Sequence, residues 1–190
     1  MVKLAFIGEG ATEKIILESS EFRKYLRSIK IDFVEQVIDA TGNGNLLPKN
    51  IAGFVSRLKD LGANVIFILT DLDEDKCITL TKDRIDPKAQ HIIIVSVKEI
   101  ESWFLAETEC MGKFFGDSNF ICDEPEKFDD PFSEIKALRL QKSGRGIATK
   151  RTLANLLVHK FGFSISRAAN HANCSSAKYF INKMKSISTE

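Results

Sequence analysis

A long apolar run that ends in a group of carboxylates is the most constraining feature of this sequence. The run Val65–Thr70 carries no charge and is followed directly by Asp71, Asp73, Glu74 and Asp75. Such a run is typical of a strand buried on both faces of a sheet. Because side chains two apart on a strand point to the same side, Asp71 and Asp73 are expected to converge. The alternative is a solvated acidic loop, since turns favour aspartate.

A pair of converging carboxylates would need a compensating positive charge. Like charges held together raise the pKa of one partner and lower stability unless a cation or a basic group neutralises them. Oxygen ligands are the hard donors that suit Mg²⁺, Mn²⁺ or Ca²⁺. The four cysteines are scattered without a C-x-x-C pair, which argues against a zinc site and a disulfide framework. The pattern therefore favours a divalent cation bound by oxygen.

Strand and helix patterns alternate along the first half of the chain. The predicted strands are Lys3–Ile7, Ile31–Ile38, the run ending at Asp71, and His91–Val97. The predicted helices follow Thr12, begin at Pro48 and stop at Gly62, and cover Leu80–Arg84. This alternation predicts an α/β fold of Rossmann-like type, with a mainly parallel sheet of about four strands flanked by helices.

Composition indicates one well-buried core. The chain has 190 residues, of which 44% are hydrophobic and 28% charged. We expect a core over residues 1–110 and, over residues 111–190, an irregular segment with a helical extension packed on that core. The net charge of +1 provides no global field toward nucleic acid, so such binding would need a local patch. The apolar start before Gly8 is too short for a signal peptide or a membrane span, which favours a cytoplasmic protein without membrane contact.

Acidic and glycine-rich segments follow all four predicted strands. These segments contain Glu9, Gly42 to Gly44, Asp71 with Asp73, and Glu99 with Glu101. Ligands of open α/β sheets bind outside the carboxyl ends of the strands, where these residues would meet. Glu13 lies one helical turn after Glu9, so its side chain is expected on the same side as that of Glu9. The alternative is that Glu13 is only a first-turn acid that complements the helix dipole. Glu99 and Glu101 are either further metal ligands or the ordinary polar first turn of a helix.

The order of these motifs resembles the TOPRIM domain of topoisomerases, bacterial primases, RNA maturases and overcoming-lysogenization-defect nucleases. Gly8-Glu9-Gly10-Ala11-Thr12-Glu13 is most similar to the nuclease branch, and Asp71-Leu72-Asp73 matches the second TOPRIM motif. The segments Val97–Ala106 and Asn173–Phe180 resemble small stand-alone TOPRIM-like proteins of unknown function. Many TOPRIM domains place a glycine shortly after the second motif, where this chain has Glu74-Asp75-Lys76.

The resemblance implies a Mg²⁺-dependent or Mn²⁺-dependent site that acts on phosphodiester bonds, in which metal ions stabilise the attacking and leaving oxygens. The implied metal ligands are Glu9, Glu13, Asp71, Asp73, Glu99 and Glu101, and the implied catalytic residues are Glu9, Asp71, Asp73 and Lys98. Glu9 is a further ligand or the base that activates water. Lys98 stabilises charge on the phosphoryl group or is a surface lysine.

The second half of the chain separates charges of opposite sign. Asp117–Pro131 is acidic and irregular, and a basic interval follows that contains Lys142, Arg145, Lys150 and Arg151. This interval predicts a nucleic-acid contact or a solvated face. Trp103 is expected in the core rather than on a base. The C-terminal helices are expected to pack on the sheet, the alternative being a helix-turn-helix motif.

Two classes of function are consistent with these patterns. The first is a metal-dependent nuclease, and the resemblance adds that it would act in phage defence with an ATPase or another defence protein as partner. The second is a catalytically silent TOPRIM-like module that binds nucleotide or nucleic acid, or that regulates a partner protein. The number of acids at the strand ends favours the nuclease, because binding alone does not require them.

Overall fold

The computed structural model describes residues 2–73 and 75–188, and within them a parallel sheet is covered by helices on both faces. The strands are β1 (Lys3–Gly8), β2 (Asp32–Phe33), β3 (Ile38–Asp39), β4 (Val65–Asp71) and β5 (Ile92–Ser96). Their order is β2-β1-β4-β5, and β3 also pairs with β1. Every pairing is parallel. The predicted α/β fold class is therefore confirmed.

The helices form most of the remaining structure of the described residues. They are α1 (Ala11–Leu17), α2 (Ser20–Ser28), α3 (Pro48–Asp60), α4 (Ile78–Ile85), α5 (Glu101–Ala106), α6 (Thr108–Phe115), α7 (Pro131–Ser143), α8 (Lys150–Asn155), α9 (Ile165–Ala168) and α10 (Ser175–Ser188). Short 3-10 turns cover Asn43–Leu46 and Pro125–Lys127, and a π-helical turn, Leu156–Lys160, continues α8. In this part of the chain no helix is long and apolar enough to cross a membrane.

The alternation of side chains along the strands divides the core into two layers. Phe6 and Phe67 face one layer with the C-terminal helices, whereas Ile7 and Ile68 face the other layer with α3. The long strands β1, β4 and β5 therefore bury both of their faces, which explains their continuous apolar runs in the sequence. This arrangement leaves the carboxyl ends of the strands as the place where polar side chains gather.

The predicted second strand is the one strand prediction that needs correction. Instead of a continuous strand over Ile31–Ile38, the chain forms β2 and β3, which pair with the two ends of β1. Between them Glu35 and Gln36 are exposed, and the Gln36 N–H donates to the Val34 carbonyl oxygen at 2.7 Å in a tight turn. Two adjacent polar residues cannot both remain in a buried strand, so the chain loops outward there.

The C-terminal extension packs on the sheet, as the sequence predicts. The Phe180 ring of α10 lies 6.3 Å from that of Phe6, 6.2 Å from that of Phe67 and 5.6 Å from that of Trp103. Trp103 is fully buried, which confirms it as a core residue. Helix α6 runs across residue 110, where the sequence suggested a division of the chain, and that division stays a prediction.

One carboxylate fixes the start of α10 and explains part of the motif at Asn173–Phe180. Glu126 accepts hydrogen bonds from the backbone N–H groups of Ser175 and Ser176, at 3.0 and 2.9 Å. The same carboxylate accepts from both serine hydroxyls. Ser176 Oγ in turn accepts from Trp103 Nε1 at 2.7 Å. A negative charge at a helix N-terminus is favourable, and here it ties α10 to α5.

Gly8, the last residue of β1, lies where α1 crosses closest to the sheet. A Cβ atom at this position would lie 2.7 Å from the Glu13 Cβ. We expect Gly8→Ala to lower the free energy of unfolding by about 1 to 3 kcal/mol, because the close contact forces α1 to shift. Urea denaturation at equilibrium measures this change.

Gly53 provides the matched control for that substitution. It lies inside α3, and no atom comes within 4 Å of a Cβ built on it. Gly53→Ala should raise the free energy of unfolding by about 0.5 to 1 kcal/mol, because alanine favours the helix and restricts the unfolded chain. Equal effects of the two substitutions would contradict the close approach of α1 to β1.

Candidate functional site

Glu9 lies just beyond β1 and is fixed to the end of β4. Its Oε2 accepts hydrogen bonds from Thr70 Oγ1 at 2.6 Å and from the Asp71 N–H at 3.2 Å. Its own N–H donates to the Leu69 carbonyl oxygen at 2.9 Å, and its carbonyl oxygen accepts from the Gly42 N–H at 2.8 Å. The glycine turn and two strand ends therefore hold this carboxylate at the rim of the sheet.

Asp71 ends β4 and is almost completely buried, with 8% of its surface exposed. Its Oδ1 accepts hydrogen bonds from Ser96 Oγ at 2.5 Å and from the Ile100 N–H at 2.8 Å. Burial raises the pKa of Asp71 well above its usual value, and the nearby Glu13 and Glu101 raise it further. The carboxyl is therefore fixed in direction and costly to ionise.

Glu13 and Glu101 are two further buried carboxyls beside Asp71. Glu13 is 4% exposed and accepts a hydrogen bond from the Gly10 N–H at 2.9 Å, whereas Glu101 is fully buried and accepts from Thr12 Oγ1 at 3.4 Å. Burial raises the pKa of Glu13 to about 7, to which the charge of Glu101 contributes. Burial likewise raises the pKa of Glu101 to about 7, although Lys150 partly opposes the rise.

Lys150, the first residue of α8, is the cation that contacts these acids. Its Nζ lies 2.7 Å from Glu99 Oε1 and 3.6 Å from Glu101 Oε2. Desolvation would lower the pKa of Lys150, but the charges of Glu101 and Glu99 outweigh it and raise the pKa. The lysine side chain is 41% exposed. A single ammonium group therefore lies beside several carboxylates, so negative charge is in excess.

Two adjoining cavities contain the predicted acidic residues. The first, the Asp71 cavity, has a volume of about 330 Å³ and is lined by Glu9, Glu13, Asp71, Glu101 and Lys150 together with Gly42 and Arg151. The second, the Asp73 cavity, measures about 730 Å³ and is lined by Asn43, Asp73, Asp75, Arg84, Lys98, Glu99 and Asp129. Lys150 contacts a glutamate of each cavity and so links the two.

Asp71 and Asp73 line different cavities because the strand ends between them. The chain leaves β4 after Asp71, and Asp73 adopts a left-handed backbone with φ of 47°. Its N–H donates to the carbonyl oxygen of Lys98, a residue that is also left-handed with φ of 61°. The expectation that the two aspartates share one side of a strand is therefore wrong in its geometry. Glu74, the next acid of the run, lies outside the described residues.

The Asp73 cavity combines acids with paired bases. Lys98 Nζ lies 2.6 Å from Asp129 Oδ1, and Arg84 lies 2.8 Å from Asp75. Asn43 Nδ2 donates to Asp73 Oδ2 at 3.4 Å. Lys98 therefore faces the acidic rim, as the sequence suggested, but an aspartate from the irregular segment approaches it. Whether Lys98 acts on a substrate stays a prediction.

The chemistry of the Asp71 cavity fits a hard divalent cation. Among the described side chains, buried Glu99 Oε2 and Glu101 Oε2 lack a hydrogen-bond partner. A buried carboxylate oxygen without a hydrogen bond is costly even where a lysine lies near it, as Lys150 does near Glu101 Oε2, and a cation would satisfy it. In the same part of the chain, however, no three Asp, Glu, His or Cys side chains are already arranged around an ion position. The donor set suits Mg²⁺ or Mn²⁺, and the carboxylates would have to draw together to hold it.

The four residues of the predicted basic interval lie in two separate parts of the structure. Lys150 and Arg151 begin α8 and line the Asp71 cavity. Lys142 lies near the end of α7 and pairs with Asp117 at 2.6 Å, and Arg145 is exposed beyond that helix. Of these four residues, only Lys150 and Arg151 lie next to the acids of the Asp71 cavity. A nucleic-acid contact by any of the four stays a prediction.

Hydroxyl side chains that the sequence reasoning missed position the carboxylates. Thr70 and Ser96 donate to Glu9 and Asp71, and Thr12 donates to Glu101. Thr70 and Ser96 are polar residues within or at the end of otherwise apolar buried strands. That position is the signal that could have identified them, because a buried hydroxyl requires a hydrogen-bond partner.

The fold and the two cavities define an α/β protein with a buried acidic site at the carboxyl edge of a parallel sheet. Among solved structures, it is similar to the C-terminal region of the Burkholderia pseudomallei OLD protein, with a TM-score of 0.48, 16% identity, and coverage of 97% of this chain and 99% of that chain. It is also similar to the C-terminal region of the Xanthomonas campestris pv. campestris OLD protein, with a TM-score of 0.42, 16% identity, and coverage of 97% and 96%.

Comparison of the sequence with protein-family models and with curated proteins finds no match. Both similar structures come from OLD proteins. The similarity concerns the fold alone.

Proposed function

We propose that the protein is a metal-dependent phosphodiesterase that cleaves nucleic acid. The observation that carries this proposal is the excess of buried carboxylates in the Asp71 cavity, where Glu13, Asp71 and Glu101 surround a space reached by one lysine. Such an arrangement is costly to a protein that does not use it, because each buried charge loses hydration. The carboxylates of this cavity would hold a divalent cation, which would offset that cost and supply positive charge to phosphate oxygens.

Asp71, Glu13 and Glu101 are the residues that would hold Mg²⁺ or Mn²⁺, with Glu9 and Glu99 at the edge of the set. The bound ion would supply positive charge to a phosphodiester that otherwise repels nucleophiles. Ser96 and the Ile100 N–H fix the direction of the Asp71 carboxylate. Glu9 is placed either to complete the set or to accept a proton from water.

Lys150 keeps in this proposal the nucleic-acid contact predicted from the sequence, and its ion pairs with Glu99 and Glu101 place that contact beside the acids. Its ammonium group reaches Glu99 and Glu101 from the open side of the cavity, with Arg151 next to it. Lys150 would contact a phosphate oxygen in the space that Glu13, Asp71 and Glu101 line, the residues that would hold the ion. Asp73 and Lys98 would contact the substrate or a further ion from the adjoining cavity.

A catalytically silent binding module is the second candidate function. It is favoured by the ion pairs of Lys150, whose single positive charge already offsets part of the negative charge of Glu99 and Glu101 without a metal. In that case the cavities would bind a nucleotide or a nucleic-acid strand without cutting it. A role in phage defence with an ATPase or another partner, in the cytoplasm, is proposed from the resemblance of the sequence motifs.

The test combines cleavage with metal binding. Labelled single-stranded and double-stranded DNA and RNA are incubated with the protein in Mg²⁺, Mn²⁺ or chelator, and Mn²⁺ binding is measured by titration calorimetry. We expect cleavage of at least one substrate that requires the metal and stops with chelator. Metal or nucleic-acid binding without cleavage would favour the silent module. Absence of both metal binding and cleavage would contradict the proposed function.

A further inference from the structure

A basic and aromatic surface lies outside the two cavities. Its centre is Tyr179 of α10, an aromatic side chain that remains 40% exposed. Lys82 Nζ of α4 lies 4.7 Å from the centre of the tyrosine ring and 3.4 Å from its hydroxyl oxygen, and Lys183 Nζ lies 5.7 Å from the ring centre. Lys178 is exposed beside Tyr179. We call these four residues the Tyr179 surface.

The positive charge of the Tyr179 surface is not neutralised by the described part of the protein. No carboxylate of residues 2–73 or 75–188 forms an ion pair with Lys82, Lys178 or Lys183. By contrast, Lys142 and Lys150 of the predicted basic interval both pair with acids. Two of these ammonium groups, those of Lys82 and Lys183, lie over the exposed ring, and Lys178 is the residue before it in the chain. Such a combination of unpaired positive charge and an exposed ring is what proteins use to bind a phosphate chain and its bases.

Packing does not account for the exposed ring. The next residues, Phe180 and Ile181, carry the contacts of this turn of α10 with the core. Tyr179 instead points to the outer side, where its contacts are with the two lysines. Cation–π attraction holds both ammonium groups near the ring, so positive charge and an aromatic face are presented together.

The surface is formed by two helices that pack at the edge of the sheet, and other residues of both helices bond to elements that carry the acids. Helices α4 and α10 both contact the edge strand β5. They cover opposite faces of the sheet, because α4 packs in the layer of α3 and α10 packs in the layer of Phe6 and Phe67. Within α4, Thr81 and Arg84 bond to Asp75 of the Asp73 cavity. Helix α10 is tied by Ser176 to Trp103 of α5, the helix that begins with Glu101. A strand bound at the edge of the sheet would therefore lie along the helices that border the site.

We propose that the Tyr179 surface binds a single-stranded stretch of nucleic acid, with phosphates on Lys82, Lys178 and Lys183 and a base against the Tyr179 ring. A single strand is required because a duplex hides the faces of its bases, whereas an unpaired base stacks on an exposed ring. This inference rests on the proposed function, because the Tyr179 surface would hold the single-stranded nucleic acid that the acidic site would cleave.

The test measures binding rather than cleavage. Fluorescence anisotropy follows a labelled oligothymidylate in the presence of chelator, over salt concentrations from about 50 to 200 mM. The charge variant combines Lys82→Gln, Lys178→Gln and Lys183→Gln. Its matched control combines Lys30→Gln, Lys59→Gln and Lys88→Gln, which removes the same charge from exposed lysines elsewhere. Tyr179→Leu removes the ring, and Tyr179→Phe keeps it.

In the charge variant the slope of log affinity against log salt should be shallower by about 2. Each phosphate contact with a single strand contributes about 0.7 to the slope, and the variant removes three lysines. The matched control should keep the slope of the parent. Tyr179→Leu should weaken binding about tenfold, whereas Tyr179→Phe should bind as the parent does, since stacking requires the ring and not the hydroxyl. Circular dichroism checks that every variant is folded.

The outcomes separate this inference from the proposed nuclease activity. Loss of binding in the charge variant and in Tyr179→Leu, without any cleavage by the parent in Mn²⁺, would support the surface and contradict the nuclease. Metal-dependent cleavage by the parent, with binding unchanged in both variants, would overturn the surface and leave the nuclease in place. A parent that does not bind the single strand, or a control that loses as much slope as the charge variant, would also overturn it.

Discussion

Replacing Asp71 with asparagine is expected to reduce metal-dependent cleavage by about 10²-fold to 10³-fold, the loss typical when a central charge-stabilising group is removed. Asparagine keeps an oxygen that can accept from Ser96 Oγ and the Ile100 N–H, the two bonds that hold the side chain in the parent. The substitution therefore removes the charge that a cation requires while preserving the local hydrogen bonds. Initial rates of oligonucleotide cleavage in Mn²⁺ measure the loss.

The same substitution should not destabilise the protein in the absence of metal. The pKa of Asp71 is raised by burial and by Glu13 and Glu101, so ionising this carboxyl costs stability that neutral asparagine does not lose. A variant that is inactive but unfolds at the same or a higher temperature would separate a role in the reaction from a role in folding. Asp60→Asn, at the exposed end of α3, is the matched control and should leave both quantities unchanged.

Two results would contradict this role of Asp71. Full cleavage by Asp71→Asn would show that the acids of the Asp71 cavity are not needed for the reaction. Loss of cleavage accompanied by a markedly lower unfolding temperature would show that the substitution acts through the fold. After the first result the Asp73 cavity, with Asp73, Glu99 and Lys98, would become the candidate place for the chemistry.

The parts of the fold that the sequence predicts correctly are those in which one residue pattern determines burial. The run Val65–Thr70 carries no charge and becomes β4, with both of its faces covered. Pro48 begins α3, and Gly62 adopts a left-handed backbone just after its end. These features depend on local chemistry and on the period of apolar residues, so a single sequence is enough to identify them.

The acids of the site could be named from the sequence, but their grouping could not. Glu9, Glu13, Asp71 and Glu101 line one cavity, whereas Asp73 lies in another because the strand ends before it. A strand end depends on backbone hydrogen bonds across the sheet, such as that from the Asp73 N–H to the Lys98 carbonyl oxygen. Residue spacing alone carries no information about where that pairing stops.

Lys150 shows a second limit of local patterns. It belongs to a basic interval far from the acids in sequence, and the chain returns it to Glu99 and Glu101 through the start of α8. Its neighbours Lys142 and Arg145 in the same interval lie elsewhere. The sign of a charge run predicts an affinity for anions, but tertiary packing decides which anion each side chain meets.

The stability of the metal-free protein is expected to fall as the pH rises from about 5 to 8. Glu13 and Glu101 have pKa values raised from 4.5 to about 7, chiefly by burial. The folded protein therefore binds these protons more tightly than the unfolded chain does, and it loses the resulting stability as the pH passes from 4.5 to 7. Each carboxyl contributes about 3 kcal/mol to this loss of stability. The loss from one carboxyl corresponds to a decrease in unfolding temperature of about 10 °C.

The chosen pH window separates this effect from that of the surface acids. Asp75, Asp117 and Asp129 have pKa values lowered by hydrogen bonds with Arg84, Lys142 and Lys98 respectively. Their contribution to stability is lost below their ordinary pKa, outside the window. Calorimetric scans of the parent in chelator should therefore show a decrease of the unfolding temperature with pH. The decrease should be clearly smaller in the double variant Glu13→Gln, Glu101→Gln, in which burial still raises the pKa of Asp71.

A divalent cation should reverse the decrease, because it binds the ionised carboxylates and not the protonated ones. We expect Mn²⁺ to raise the unfolding temperature of the parent at pH 8 by mass action, with a much smaller rise at pH 5 and little in the double variant. Glu109→Gln, an exposed glutamate paired with Lys113, is the matched control and should follow the parent under every condition. A parent whose stability is constant or increases from pH 5 to 8 would refute the buried acidic site, because ionisation of Glu13 and Glu101 would then carry no cost for a cation to relieve.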